Sequence, residues 1–171
     1  YPQLGFVHQK EQQGTAHALL QAEQTMEGKS GTLVVLSGDV PLITSATLKH
    51  LANHHESLAA SATLLTAKLE QPYGYGRVAR TKGLLARIIE EADASPAQRR
   101  IQEVNAGIYA FDLQPLFAAL HEIPEAGPKQ ERYLPAILNV YHRRQLGVES
   151  TESENPHEIR GVNSQAELAE M

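Results

Sequence analysis

Asp39 stands in a setting that few carboxylates share in this sequence. The apolar run Leu33 to Leu36 leads directly into Ser37-Gly38-Asp39, and Pro41 forbids the run to continue. A short β-branched-rich run bounded by Gly and Pro reads as a buried parallel strand. Ligands of open α/β sheets bind at the C-terminal ends of such strands. Asp39 would then sit at the lip of a cleft, with Gly38 letting a ligand approach the backbone. The same three residues also suit an ordinary strand-to-loop turn with Asp as its turn former.

Three further stretches could carry chemistry. Gln9 to Gly14-Thr15 is a polar loop running into a helix start, where free backbone N–H groups suit an anion or a carbonyl-bearing base, or form a plain first turn. Gly74-Tyr75-Gly76-Arg77 places two glycines around an aromatic at a strand entry, for a bulge or for close approach of a ligand. Gly161-Val162-Asn163 precedes a helix start, and asparagine there is also a common turn residue. Glu90-Glu91 are paired carboxylates, but neighbours on a strand face opposite ways. The eight histidines show no metal-ligand spacing, and neither a nucleophile elbow nor a phosphate-binding glycine loop of the GxxxxGK[ST] or GxGxxG type occurs.

The elements that would position these residues alternate in type. Leu4 to His8 is a short apolar stretch. A helix-like segment rich in Ala, Leu, Gln and Glu runs from Gly14-Thr15 to Glu27, with Ala18, Leu19, Ala22 and Met26 on one face. After the 33–37 strand, Thr44 or Ser45 can cap a helix bearing Leu48, Leu51 and Ala52. Strands are predicted at 60–67, 73–80, 84–90 (antiparallel to the previous one) and 104–111, with a polar loop over 91–100. Helices are predicted at 113–121 and about 131–144, where Leu134, Ile137, Leu138 and Tyr141 recur at i, i+3, i+4, i+7. A last strand is predicted at 147–149, and Ser164-x-x-Glu167 reads as the capping box of a terminal helix. The alternation argues for an α/β sandwich around a mixed, largely parallel sheet.

The chain has 171 residues, 42% hydrophobic and 20% charged, which suits one globular domain. A net charge of −5 without a basic block gives nucleic-acid binding little support. The absence of cysteine excludes disulfides, zinc-thiolate sites and thiol nucleophiles, and fits a reducing compartment. No run approaches the ~20 apolar residues that span a bilayer.

Taken in order, QKEQQGTAHAL (9–19), VVLSGDVPLI (34–43), PYGYGRV (72–78), IIEEADA (88–94), IQEVNAGIYAF (101–111), QERYLPAIL (130–138) and RGVNS (160–164) resemble bacterial UDP-N-acetylglucosamine pyrophosphorylases, the uridylyltransferase part of a cytoplasmic, bifunctional enzyme of cell-wall precursor synthesis. Each stretch is weakly specific; their order and spacing are strongly so. The resemblance implies a Rossmann-like, glycosyltransferase-A-like domain. Its partners would be UTP, N-acetylglucosamine 1-phosphate and UDP-N-acetylglucosamine, and its cofactor Mg2+. By the same resemblance Gln9, Gly14 and Thr15 would read uracil. Ser37, Gly38 and Asp39 would form the nucleotide and magnesium site, with Asp39 and Asn163 as metal ligands. Gly76, Glu90 and Asn105 would hold the N-acetylglucosamine moiety. The alternatives are a related transferase using glucose 1-phosphate, or a non-catalytic sugar-nucleotide-binding module.

Departures from the family pattern are also legible. Members carry a strand and a glycine-rich loop ahead of the position of Tyr1, a hexapeptide-repeat acetyltransferase domain downstream, through which they trimerise, often an aromatic at Ser37, and often Thr-Asp at Pro135-Ala136. The expectation is that residues 1–171 are part of a uridylyltransferase domain and, alone, turn over no UTP.

Overall fold

The computed structural model describes residues 4–127, 130–162 and 164–169, the side chains of 166 and 167 aside. Six strands form one sheet: β1 (Thr32–Val35), β2 (Ala62–Lys68), β3 (Arg77–Thr81), β4 (Leu84–Ile89), β5 (Glu103–Asp112) and β6 (Val148–Glu152). Their order is β4-β3-β5-β2-β6, with β1 also on β5. β5 runs antiparallel to β1, β2 and β3, and β2 runs parallel to β6. So β1, β2, β3 and β6 share one direction, as a largely parallel sheet requires. The intruding β5 makes three of their pairings antiparallel and β4 on β3 a fourth, which leaves β2 with β6 as the parallel pair.

β5 organises the sheet. One edge pairs with β2, and the other is shared by β1 at Tyr109–Asp112 and β3 at Val104. The register against β2 steps from Leu64↔Tyr109 to Thr66↔Asn105, so β5 bulges around Gly107, whose φ of 72° disfavours a side chain. The bulge falls where β1 has ended and β3 has not yet joined. A gap at that sheet edge is the frame of the cleft.

Helices cover both faces. α1 (Thr15–Leu20), α4 (Leu113–Leu120) and α5 (Ile137–Arg143) pack Ala16, Leu116, Leu120, Ile137 and Tyr141 against Leu64, Tyr109 and Phe111. α3 (Ser45–Ser57) buries Leu51 on the opposite face, against a cluster with Leu65, Val104 and Ile108. Neighbours Leu64 and Leu65 thus serve opposite cores, which is why β2 reads as a continuous apolar run. Thr44 caps α3, its hydroxyl accepting from Thr47 N at 3.2 Å, and Asp112 caps α4 through Gln114 N at 3.2 Å.

Several expected elements are shorter or broken. The first helix divides into α1 and α2 (Glu23–Met26). The helix expected from about 131 is a 3-10 turn at Leu134–Ala136 followed by α5, because Pro135 suits a helix start and not its interior. Leu4, Phe6 and Val7 are exposed and form no strand. The loop over 91–100 contains two 3-10 turns, Glu91–Asp93 and Gln98–Arg100. A terminal helix, α6 (Gln165–Ala169), starts after Ser164; the Glu167 side chain of the expected capping box lies outside the described residues. Among the described residues no helix is long and apolar enough to cross a membrane.

Candidate active site

Glycine at position 14 is required twice. Its φ of 93° and ψ of 174° belong to a backbone region open essentially to glycine alone. A Cβ there would also lie 2.8 Å from Arg132 N. The close approach is fastened by Arg132 N donating to Gln13 O at 2.8 Å and Ala16 N to Arg132 O at 2.9 Å. Thr15 joins it: its hydroxyl accepts from Leu134 N at 2.9 Å. The pair expected to read a base thus has a structural task, holding the 131–134 segment against the start of α1. Gln9 stands beside them, its amide donating to Gly14 O at 3.2 Å and meeting His17 Nδ1 at 2.9 Å. α1, at six residues, is too short for its dipole to be a binding site by itself.

The strand ending at Val35 delivers Ser37 to the β5 bulge, where its hydroxyl donates to Gly107 O at 3.3 Å. Gly38 and Asp39 follow, both exposed. Asp39 lines the opening, and its backbone oxygen accepts from Val162 N at 2.8 Å. That bond brings the 160–162 segment beside Asp39. Asn163 lies outside the described residues.

On the other side of the bulge, Asn105 N donates to Gly76 O at 2.9 Å, tying the glycine loop to β5. The Asn105 side chain donates to Tyr109 Oη at 2.6 Å and accepts from Gly107 N at 3.2 Å. Its orientation is set before any ligand arrives. Gly76 faces Ile88 and Glu90: a Cβ at 76 would lie 2.7 Å from Ile88 Cγ2 and 3.4 Å from Glu90 Oε2. Glu90 as a residue is exposed on the cleft, yet its carboxyl stands close against Gly76. Partial desolvation of the carboxyl there raises its pKa above the ordinary carboxylate value, and the charge of Asp93 adds to the rise. Glu91 lines the same cavity, but its carboxylate is taken up by the guanidinium of Arg77 at 2.6 Å. The two acids therefore do different work.

Thr15, Ser37, Gly38, Asp39, Glu90 and Asn105 line one cavity of about 1220 Å³. A second cavity of about 550 Å³ adjoins it through Ser37, Asp39 and Asn105, and reaches Gly76 and Gly161. Gln9 and Gly14 line neither. Reading the sequence overlooked Tyr109 and marked Tyr75 and Arg77 only as parts of the 74–77 stretch, without a role; all three hold the site from behind, where Tyr109 anchors Asn105 and Tyr75 Oη accepts from Gly161 N at 3.3 Å. The signal for Arg77 was a charged residue opening a strand otherwise destined for burial. Tyr109 carried no sequence signal, because a buried tyrosine in an apolar run looks like packing.

Among the described residues no three His, Cys, Asp or Glu side chains gather as a metal-binding group. The donor set suits a cation that needs few protein ligands. A lone exposed carboxylate such as Asp39 fits magnesium, which keeps several waters and takes one or two protein groups beside phosphate oxygens.

Known proteins share both the sequence and the fold. The chain is 48% identical over 164 residues to the bifunctional protein GlmU of Pelotomaculum thermopropionicum, covering 95% of this chain and 36% of that one. It is 41% identical over 168 residues to GlmU of Halalkalibacterium halodurans, covering 98% and 37%. The chain thus spans about a third of the length of these relatives. A crystal structure of UDP-glucose pyrophosphorylase complexed with UDP-glucose superposes with a TM-score of 0.62 at 16% identity, over 83% of this chain and 55% of that one. That likeness is one of fold. The model of the nucleotidyl transferase family matches residues 2–152, which take in all six strands of the sheet together with Thr15, Ser37, Asp39, Gly76, Glu90 and Asn105; the chain belongs to that family.

Proposed function

We propose that this chain supplies the uridylyl-transfer site of an enzyme that joins UTP and N-acetylglucosamine 1-phosphate into UDP-N-acetylglucosamine and pyrophosphate. The observation that carries the reading is the continuous cleft in which Asp39 on one side of the β5 bulge meets Glu90 and Asn105 on the other. Relatives named GlmU, at 40–48% identity, support the choice of reaction.

The sugar phosphate attacks the α-phosphorus of UTP in line and pyrophosphate leaves. A phosphoryl transfer of this kind asks the protein for positioning and for charge stabilisation, not for a side-chain nucleophile. Asp39 would hold a Mg2+ together with Asn163, and that ion would neutralise charge on the phosphates. Ser37 and Gly38 leave the backbone near Asp39 open to the nucleotide, and Gln9, Gly14 and Thr15 lie on the uracil side. Gly76 makes room for the sugar, Glu90 accepts from its hydroxyls, and Asn105, held by Tyr109 and Gly107, meets the acetamido group. The setting implied is cytoplasmic synthesis of cell-wall precursors, by an enzyme assembled as a trimer.

A second reading is favoured by one observation, the UDP-glucose held by the structural neighbour. In it the sugar phosphate is glucose 1-phosphate. The whole gene product assayed with each sugar phosphate, against UTP and dTTP, separates the readings. Turnover with N-acetylglucosamine 1-phosphate and UTP far above the other combinations is expected; preference for glucose 1-phosphate would overturn the assignment.

A further inference from the structure

Arg77 is the largest side chain fully buried in the chain, 2% exposed. Its guanidinium spreads to three separate groups. Nη2 meets Glu91 Oε2 at 2.6 Å, Nε donates to Arg99 O at 3.4 Å, and Nη1 donates to Tyr75 O. Glu91 Oε2 also accepts from Gly74 N at 3.3 Å, and Arg99 Nη2 donates back to Glu91 O at 3.4 Å. One guanidinium therefore ties together the glycine loop at 74–76, the turn at 91–93 and the turn at 98–100.

Arg77 is buried while the Glu91 side chain is 23% exposed, and a buried guanidinium is poorly explained by stability alone, since apolar residues of similar volume often replace buried charges and their partners without loss. The position of this one suggests another task. Arg77 directly follows Gly76, and Glu91 directly follows Glu90. Gly76 and Glu90 face one another across the sugar side of the cleft, with Glu90 Oε2 3.4 Å from where a Cβ on Gly76 would stand. The pair Arg77–Glu91 joins the two segments that carry them, just behind the cleft. Tyr75 extends the brace: its carbonyl is held by Arg77 while its hydroxyl accepts from Gly161 N.

We propose that Arg77 is a positioning residue for the sugar-phosphate end of the cleft, fixing the distance between Gly76 and Glu90 without touching substrate. This rests on the sugar-binding reading given above. A lysine at 77 keeps the charge but cannot form a fork to three acceptors in fixed directions. A glutamine at 91 keeps an acceptor for Gly74 N and for Arg77 but removes the charge.

The test compares full-length wild type, Arg77→Lys and Glu91→Gln for the KM of N-acetylglucosamine 1-phosphate, the KM of UTP, kcat, and affinity for UDP-N-acetylglucosamine and for UDP. Arg77→Lys should raise the sugar-phosphate KM about tenfold, leave the UTP KM and UDP affinity unchanged, and erase a similar factor from the preference for UDP-N-acetylglucosamine over UDP. Glu91→Gln should move the same quantities the same way by less. Unchanged sugar-phosphate KM in folded Arg77→Lys overturns the proposal, as does an equal rise for both substrates, the mark of a merely structural role. If Arg77→Lys does not fold, Glu91→Gln decides by the same two criteria. Wild type alone judges the substrate reading: failure to prefer UDP-N-acetylglucosamine over UDP refutes that reading whatever the variants do.

Discussion

At the end of the cleft formed by Ser37, Gly38 and Asp39, the holding is done by one hydroxyl, Ser37 on Gly107 O, and one main-chain bond, Val162 N on Asp39 O, while Gly38 and Asp39 stay exposed. At the end formed by Gly76, Glu90 and Asn105, buried side chains do it: Tyr109 and Arg77, each 2% exposed, fix the residues in front of them. The difference fits the ligands proposed for each end. Phosphates and a hydrated cation need charge and room for the waters that the cation keeps, which an open end supplies. A sugar is told from its analogues by polar groups held at fixed positions, which reject a ligand that leaves them unpaired.

The largest effect should come from the open end. Asp39→Asn in the full-length enzyme should lower turnover by about a hundredfold or more, since the charge that would hold the metal is lost. Its melting temperature should stay put, because Asp39 is exposed. Near-normal activity at ordinary magnesium concentrations would remove Asp39 from the metal site.

A second contrast sets two glycines against each other. Gly14→Ala should cost about 3 kcal/mol or more, combining a forbidden backbone conformation with collision against Arg132. Gly38→Ala meets nothing within 4 Å and should leave stability within ~0.5 kcal/mol while impairing activity if a ligand packs there. Denaturant midpoints for the two variants check this; equal midpoints would show that the Gly14 contact is not needed.

This pair also shows what the sequence could and could not disclose. The strand ahead of Asp39 was legible because an apolar run, a glycine and a proline say where a strand stops, but it is half-buried and pairs antiparallel with β5, where a buried parallel strand was expected. The 104–111 strand was legible from its apolar content, but its neighbours were not. Nothing local in VNAGIYAF says that β5 will bulge at Gly107 and serve three strands at once. Gly14 drew attention as half of a uracil-reading pair, whereas its visible partner is the backbone of Arg132, far along the chain. Long-range contacts of that kind leave no periodicity. Glu90 and Glu91 were set apart in sequence by strand alternation, but β4 ends at Ile89 and Glu91 opens a 3-10 turn, so it is the turn and the tertiary contact with Arg77 that separate them.

Glu90 offers a pH test of the braced end. Its folded pKa is raised by burial, with Asp93 contributing, while in the unfolded chain it titrates in the ordinary carboxylate range. Between those two values the folded protein holds a proton that the unfolded chain has lost. Stability from this group is therefore complete below the unfolded pKa, falls as pH rises through the folded one, and stays reduced above it. Glu90→Gln should abolish that loss, so the variant should gain on wild type from pH 4 to pH 7 in unfolding experiments, while its KM for the sugar phosphate rises. A stability difference independent of pH would mean that the Glu90 carboxyl is solvated.

The smallest effect sharpens the comparison most, because it uses one chemical change at two tyrosines. Tyr109 and Tyr141 are both buried in the same core, and Phe111 lies between them, its ring centroid 5.5 Å from the first and 6.3 Å from the second. Tyr109 Oη accepts from Asn105 Nδ2 at 2.6 Å, behind the sugar end of the cleft. Tyr141 Oη, on α5, is buried without a hydrogen-bond partner among the described residues. A hydrogen bond contributes ~1 kcal/mol net, and an unpaired buried hydroxyl costs ~1–3 kcal/mol. Tyr109→Phe should therefore destabilise by about 1 kcal/mol and also raise the sugar-phosphate KM, because Asn105 loses the partner that orients its amide. Tyr141→Phe should stabilise by about 1 kcal/mol, raising the melting temperature by ~2–4 °C, and leave both Michaelis constants alone. Opposite signs at the two positions follow only if the hydroxyl of Tyr109 serves the cleft and that of Tyr141 serves nothing. Loss of stability at both would show that Tyr141 is paired in solution, and an unchanged sugar-phosphate KM in Tyr109→Phe would show that the Asn105 amide does not depend on that bond.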